Sequence, residues 1–385
     1  MLLGTQLPFE RVPATLDHFT GVEIGEETAR RLTESVGAAW ERAERAEAQQ
    51  LELVWPDGPV GPAVQQLSVD GAMVPLVGGA WAEVKTLAIG EVQLGTQAAP
   101  EPRTTELSYF SRLCDAATFT EVARVEVHRR GTDTADTVCA VSDGAEWIQG
   151  WVDRFRPDAV RILDFPHAAE HLSSAAQAVF GSGTAEASEW LGTQLHELKH
   201  GDPDVVLAAL RALPTETAID PAAGAKTRDE VVSYLEKRRT QIAYAEFRAA
   251  GYPIGSGAVE SANKLVVEAR LKGSGMHWVR ENVNPMLALR CTLCSKRWQE
   301  SWPRVWTAFR QDQAEQRRRR HRERHPAAMP APSDHPTKQT SPPRAPSIPC
   351  PPKGLVVDGK PTAQHPWHNG HLSRCSAASP TRAKI

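Results

Sequence analysis

The chain has 385 residues, 41 % of them hydrophobic, and a formal net charge of −3 from 44 basic and 47 acidic side chains. This is enough for a globular protein of two or three domains with a sizeable core, and six cysteines scattered from Cys114 to Cys375 exclude a disulfide scaffold. The start MLLGTQLPFERVP lacks a basic segment followed by a long apolar stretch, and no window reaches the roughly eighteen apolar residues of a membrane span, so a cytoplasmic chain without a membrane partner is expected. Near-neutral net charge neither demands nor forbids a nucleic-acid partner, and local charge must decide.

Residues 13–50 carry helical spacing, with Thr28, Leu32 and Val36 followed by a charged run. The phrase LDHFTGVEIGEETARRLTESVG reads either as the end of a helix-turn-helix or as a helical packing segment. From Ala63 the period changes to two, through AVQQLSVDGAMVPLV, WAEVKTLAIGEVQ and TTELSYFSRL, which predicts three consecutive antiparallel strands. A helix over 117–129, the strand TVCAVSD, a helix over 146–155, the strand AVRILD and a helix from about His167 then alternate, as in a parallel portion of the same sheet. Residues 181–250 read as helical throughout, an insertion with Leu191, Leu195 and Leu198 on one face. The loop GYPIGSG, a helix from near Ala258 and the Trp-rich stretch RWQESWPRVWTAF follow. Beyond Arg324 the Pro-, Ser-, Thr- and Ala-rich tail has too few large apolar residues to offset its ordering entropy and is expected to be disordered.

Three acidic residues stand where strand or helix ends are expected to meet tight turns: Asp70 in SVDG, Asp143 in VSDG and Glu260 in GSGAVES. Magnesium takes hard oxygen ligands, one or two carboxylates per ion with phosphates and waters completing the octahedron. Three carboxylates from three elements can therefore serve two divalent ions about 3.5–4 Å apart. A DG pair alone is ordinary turn chemistry, and only the joint setting of the three distinguishes them. In ILDFPHAAEHL, Asp164, His167 and His171 share one strand-to-helix turn, where the aspartate can cap the helix and orient an imidazole, a structural or substrate-positioning role. Asn263, Lys264, Arg270, Lys272 and Arg280 cluster near Glu260 and are expected to hold DNA through phosphates. The run QRRRRHRER is expected to be a flexible basic arm at most. Cys291 and Cys294 form a lone CxxC that reads as core thiols, and Trp298, Trp302 and Trp306 mark one helical face directed at a core.

The stretches SVDGAMVPLVGGAWAEVKTLAIGEV, AVSDGAEWIQGWVDRFRPDAVRILDFPHAAEHL and GYPIGSGAVESANKLVVEARLKGSGMHW resemble, in order, the DDE transposases of bacterial insertion sequences. The resemblance is closest to the Kra-type family, is shared with Mutator-like enzymes, and extends from about Leu51 to Trp306. It implies an α/β fold: a ribonuclease H-like mixed sheet with flanking helices and a helical insertion before the catalytic glutamate. It also implies that Asp70, Asp143 and Glu260 are the catalytic triad and hold two Mg2+ or Mn2+ ions. Asp164 and His167 fill the places of the Cys/Asp-x-x-His signature of Mutator-like enzymes. The implied activity is metal-dependent cleavage at element ends and strand transfer into target DNA, by a dimer or larger assembly on double-stranded DNA at the nucleoid. A nuclease of the same fold and a truncated derivative that binds DNA without transposing it are the alternatives. The expected parts are a helical, truncated DNA-binding region over 1–50, the catalytic core over 51–180 and 251–310, the insertion over 181–250, and a basic, then Pro/Ser-rich tail over 311–385. Truncation is expected because Kra-type relatives carry a cysteine-rich segment ahead of the first catalytic strand, and this chain has no cysteine before Asp70.

Overall fold

Period-two alternation in β1 (Val64–Pro75), β2 (Trp81–Gln93) and β3 (Arg103–Arg112) builds an antiparallel meander, to which β4 (Thr137–Ser142) and β5 (Val160–Leu163) add in parallel. The strand order is β3-β2-β1-β4-β5. A computed structural model describes residues 1–95 and 101–324 of this unit. In a separate unit spanning Pro326–Ile385, it describes only the pairing of Val356–Val357 with Lys360–Pro361. The expectation of disorder beyond Arg324 otherwise lies outside the described residues.

Alternation distributes the strands' side chains between two cores. Leu67 and Val69 of β1, Leu87 and Ile89 of β2, Phe110 of β3 and Val138 and Ala140 of β4 meet α4 (Ala116–Arg129) and α5 (Glu146–Phe155) through Phe119, Ile148 and Trp151. On the opposite face Ala72, Val74, Val84, Ala88 and Tyr109 meet the helical run that starts with α11 (Gly257–Ala262), passes through a π-helical turn (Asn263–Glu268), and is backed by α13 (Arg280–Cys294). Both faces are covered, which is why β4 reads as an unbroken buried run from Val138 to Ser142.

A third core joins Cys139, Val141, Ile162 and Leu163 to α6 (Phe165–Phe180) and to the helices of the insertion. These are α7 (Ala185–His200), α8 (Pro203–Arg211), α9 (Pro221–Glu236) and α10 (Tyr244–Ala249). Leu198, Val206, Leu207, Leu210, Val231 and Leu235 are buried there. Tyr244 is fully buried and donates its hydroxyl to the Leu163 carbonyl at 2.8 Å, which fixes the insertion's last helix to the end of β5.

At the N-terminus, α2 (Val12–Thr20) ends on Gly21 in the left-handed region, and α3 (Glu26–Leu53) follows as one 28-residue helix. Its buried positions Ala29, Thr33, Val36 and Trp40 recur at helical spacing, and Val36 and Trp40 share a cluster with Ala288, Leu289 and Val305. α3 therefore packs one face on this cluster. α14 (Trp298–Arg324) continues as helix through the basic run. Trp298, Trp302 and Trp306 stack along it, the first two packed against the α3 cluster and Trp306 41 % exposed. A buried ion network ties these layers together. Glu126 of α4 accepts from Arg297 at 2.6 and 2.7 Å and from Arg129 at 3.1 Å, and Arg112 of β3 donates to Glu44 of α3 at 2.5 Å. Among the described residues no helix is long and apolar enough to cross a membrane.

Candidate active site

The register of the parallel pair brings the two aspartates together. β1 and β4 pair from Val64–Thr137 to Leu67–Ala140, and Asp70 and Asp143 each lie three positions beyond that last couple. β4 stops at Ser142 while β1 continues, so a cleft opens at the point where both carboxylates stand. One expectation is corrected here. Asp70 does not end its strand in a turn but lies within β1, opposite Thr86 of β2, whose pairing runs on to Pro75. Its DG pair is a strand feature, since Gly71 is itself paired with Lys85 of β2.

The third carboxylate arrives through the loop GYPIGSG, which is held at three consecutive residues. Gln66 of β1 donates to the Gly255 carbonyl at 3.0 Å, Phe165 N–H to the Ile254 carbonyl at 2.9 Å, and Ser256 N–H to Asp164 Oδ1 at 2.6 Å. Asp164 is 5 % exposed, and its other oxygen accepts the His167 N–H at 3.1 Å, capping α6. This one side chain therefore joins the start of α6 to the loop that delivers Glu260.

Asp70, Asp143 and Glu260 line one cavity of about 170 Å³ together with Asp164, His167 and Glu170. Among the described residues, five carboxylates and no lysine or arginine are on its wall. Burial holds the Asp70 carboxyl above its usual range, and the neighbouring charges of Asp143 and Glu260 add to this against the bonds from Gly71 N–H and Asn263. Asp70 Oδ1 accepts the Gly71 N–H at 2.7 Å and Oδ2 the Asn263 amide at 2.9 Å, while Asp143 Oδ1 accepts the Ala145 N–H at 2.9 Å. Asn263 Oδ1 is buried with no hydrogen-bond partner among the described residues. Such a wall of hard oxygen donors with mutual repulsion fits a divalent cation in its chemistry. As they stand, no three His, Cys, Asp or Glu side chains among the described residues converge closely enough to hold one ion.

His171 is half-buried, 3.3 Å from His167 between Nε2 atoms, and burial keeps its imidazole below the usual pKa, with the charges of His167 and Arg238 adding to this. Of the residues expected to hold phosphate, Lys264 and Arg280 are exposed, and Lys272 pairs with Glu268 at 2.7 Å. Two are corrected. Asn263 is 6 % exposed and bound to Asp70, so it belongs to the acidic site. Arg270 is 2 % exposed, donating to the Gly4 carbonyl with its guanidinium over the rings of Phe9 and Trp278, so it presents no charge to DNA. Cys291 is buried and Cys294 half-buried, both as free thiols.

Two residues of the site had no motif to announce them. Tyr234 of α9 donates its hydroxyl to the Asp143 carbonyl at 2.5 Å, and Arg238, just past α9, donates to the Gly144 carbonyl at 2.7 Å. Only the folded insertion brings them to β4. Compared with known proteins, the chain matches no family model and none of the curated proteins.

Proposed function

We infer that this chain is the catalytic part of a DNA transposase of the DDE type, cutting at the ends of an insertion element and joining them to target DNA. The observation that carries the reading is the convergence of Asp70, Asp143 and Glu260 on one acidic cavity with no lysine or arginine among the described residues of its wall. The antiparallel meander continued by two parallel strands, and the helical insertion ahead of Glu260, support a ribonuclease H-like assignment of the sheet.

Asp70, Asp143 and Glu260 would hold two Mg2+ or Mn2+ ions, which when bound activate the attacking oxygen and stabilise the leaving one. Magnesium needs only one or two carboxylates per ion beside phosphate and water, so three protein carboxylates leave coordination positions for the substrate to complete. The chain's own part is positioning. Asn263 holds Asp70, Asp164 holds the loop that carries Glu260, and exposed Lys264 and Arg280 can take phosphates. Double-stranded DNA is the proposed substrate, and joining two ends in concert calls for at least a dimer.

Incubating the protein and Mg2+ or Mn2+ with DNA that carries candidate terminal repeats tests this. Cleavage that leaves 3′-hydroxyl ends, followed by joined products, is expected. Cleavage without joined products would assign a nuclease of the same fold. DNA binding without cleavage in either metal would leave a non-transposing binding protein.

A further inference from the structure

We propose that the helical insertion serves as a brace for Asp143, with Tyr234 and Arg238 as positioning residues that fix the turn from which its carboxylate enters the cavity. The proposal rests on the reading of Asp143 as a cation ligand given above, and extends it to side chains that no motif marks.

The Asp143–Gly144 turn leaves the sheet where ladder pairing stops, at Ser142–Leu163. Main-chain carbonyls there need partners from elsewhere. Both come from one end of the insertion: the Tyr234 hydroxyl on the Asp143 carbonyl at 2.5 Å and Arg238 Nη2 on the Gly144 carbonyl at 2.7 Å. Gly144 has φ +77°, and a Cβ added to it would lie 2.5 Å from Arg238 Nε, so the turn and the guanidinium are fitted to each other. Arg238 is itself fixed, donating to the Tyr234 carbonyl at 3.1 Å with its guanidinium 3.8 Å from the centre of the Tyr234 ring.

The same tyrosine is held from the cavity side. His171 stacks on its ring at 4.0 Å and 22°, and His171 Nε2 is 3.3 Å from Nε2 of His167, which lines the cavity. A continuous set of contacts thus runs from the cavity wall through His167, His171 and Tyr234 to the main chain of Asp143. Outer partners of metal-binding side chains commonly set affinity by about 10–100-fold, because they hold the donor in its working direction.

The test uses the full chain as wild type, Y234F, R238M and D143N. Y234F keeps the ring on His171 and removes only the hydroxyl, and R238M removes the guanidinium while leaving Gly144 at its positive φ. Amide hydrogen exchange over 142–146 is measured without metal, Mn2+ affinity by calorimetry, and melting as a check on folding. Expected are faster exchange confined to 142–146 in Y234F and R238M at near-unchanged melting, and Mn2+ affinity about tenfold or more weaker. Unchanged exchange in both variants overturns the brace whatever the metal does. Faster exchange with wild-type Mn2+ affinity, where D143N has lost it, overturns its positioning role. Should wild type and D143N take up Mn2+ alike, the cation reading of Asp143 fails while the local exchange result still decides whether the brace exists.

Discussion

The Asp143 carboxylate can be replaced cleanly by an amide, because asparagine can keep the Ala145 N–H bond on Oδ1. D143N removes a negative charge beside Asp70, whose carboxyl already sits above its usual range. In metal-free buffer the variant is expected to equal the wild type in stability or exceed it by up to about 1 kcal/mol, the usual scale for exposed charge pairs. The wild type should gain stability on adding Mn2+ and D143N should not, which paired melting curves would read directly. Asp164 is the opposite case. D164A removes a helix cap, about 1 kcal/mol, and strands the buried Ser256 N–H, about 1–3 kcal/mol, so a loss of about 2–4 kcal/mol is expected together with loss of cleavage. Loss of cleavage at unchanged stability would instead give Asp164 a chemical part.

At the scale of elements, the network under Glu126 makes the packing of α4 against the start of α14 pH-dependent. Burial alone would raise the Glu126 pKa, but the Arg297 and Arg129 guanidinium groups overcome it and hold the carboxyl down at about 2, against an ordinary 4.5. As pH falls below 4.5 the unfolded chain takes up this proton before the folded one does, so stability is lost between about pH 4.5 and 2 and levels off below. E126Q should cost about 3 kcal/mol near neutrality, as for one partner removed from a buried pair, and should flatten that acid limb in melting curves. The elements themselves were legible from periodicity, including the meander, the alternating helices and strands, and the helical insertion, because each buries a face at its own period. Asp143 and Glu260 were legible at their element ends for the same reason. Asp70 was misplaced because a DG pair reads as a turn, and only the long pairing with β2 keeps it in a strand. Arg270 was misplaced because nearness to Glu260 in sequence does not report burial, and the Gly4 carbonyl that it meets lies 266 positions away. Tyr234 and Arg238 could not be found at all, since their partners lie ninety-one and ninety-four positions away and no local pattern reports such a contact.

For the molecule as a whole, a net charge of −3 hides a strong local concentration of positive charge. Arg317, Arg318, Arg320, Arg322 and Arg324 are exposed on the last turns of α14, and Lys264 and Arg280 are exposed beyond the acidic cavity. These groups can bind phosphates, but phosphate contacts fix position and carry no sequence information. Base edges are read by a docked element in a groove, and α3, the helix best placed in sequence for that task, has its apolar face occupied by α13 and α14. Binding to DNA is therefore expected to be strongly salt-dependent and to favour terminal-repeat DNA over scrambled DNA by less than about a thousandfold, the lower end for specific binders. Replacing Arg317, Arg318, Arg320 and Arg322 by glutamine keeps good helix formers in α14 while removing four charges. If all four contact phosphates, the slope of log affinity against log salt should fall by about 3.6, at about 0.9 per contact. The loss should be the same for repeat and scrambled DNA, because no base contact is removed. Shift assays across a salt series on the two DNAs measure both quantities. A preference above a thousandfold in the wild type would show that this chain reads terminal repeats directly, and a loss in the quadruple variant confined to repeat DNA would show that α14 takes part in such reading.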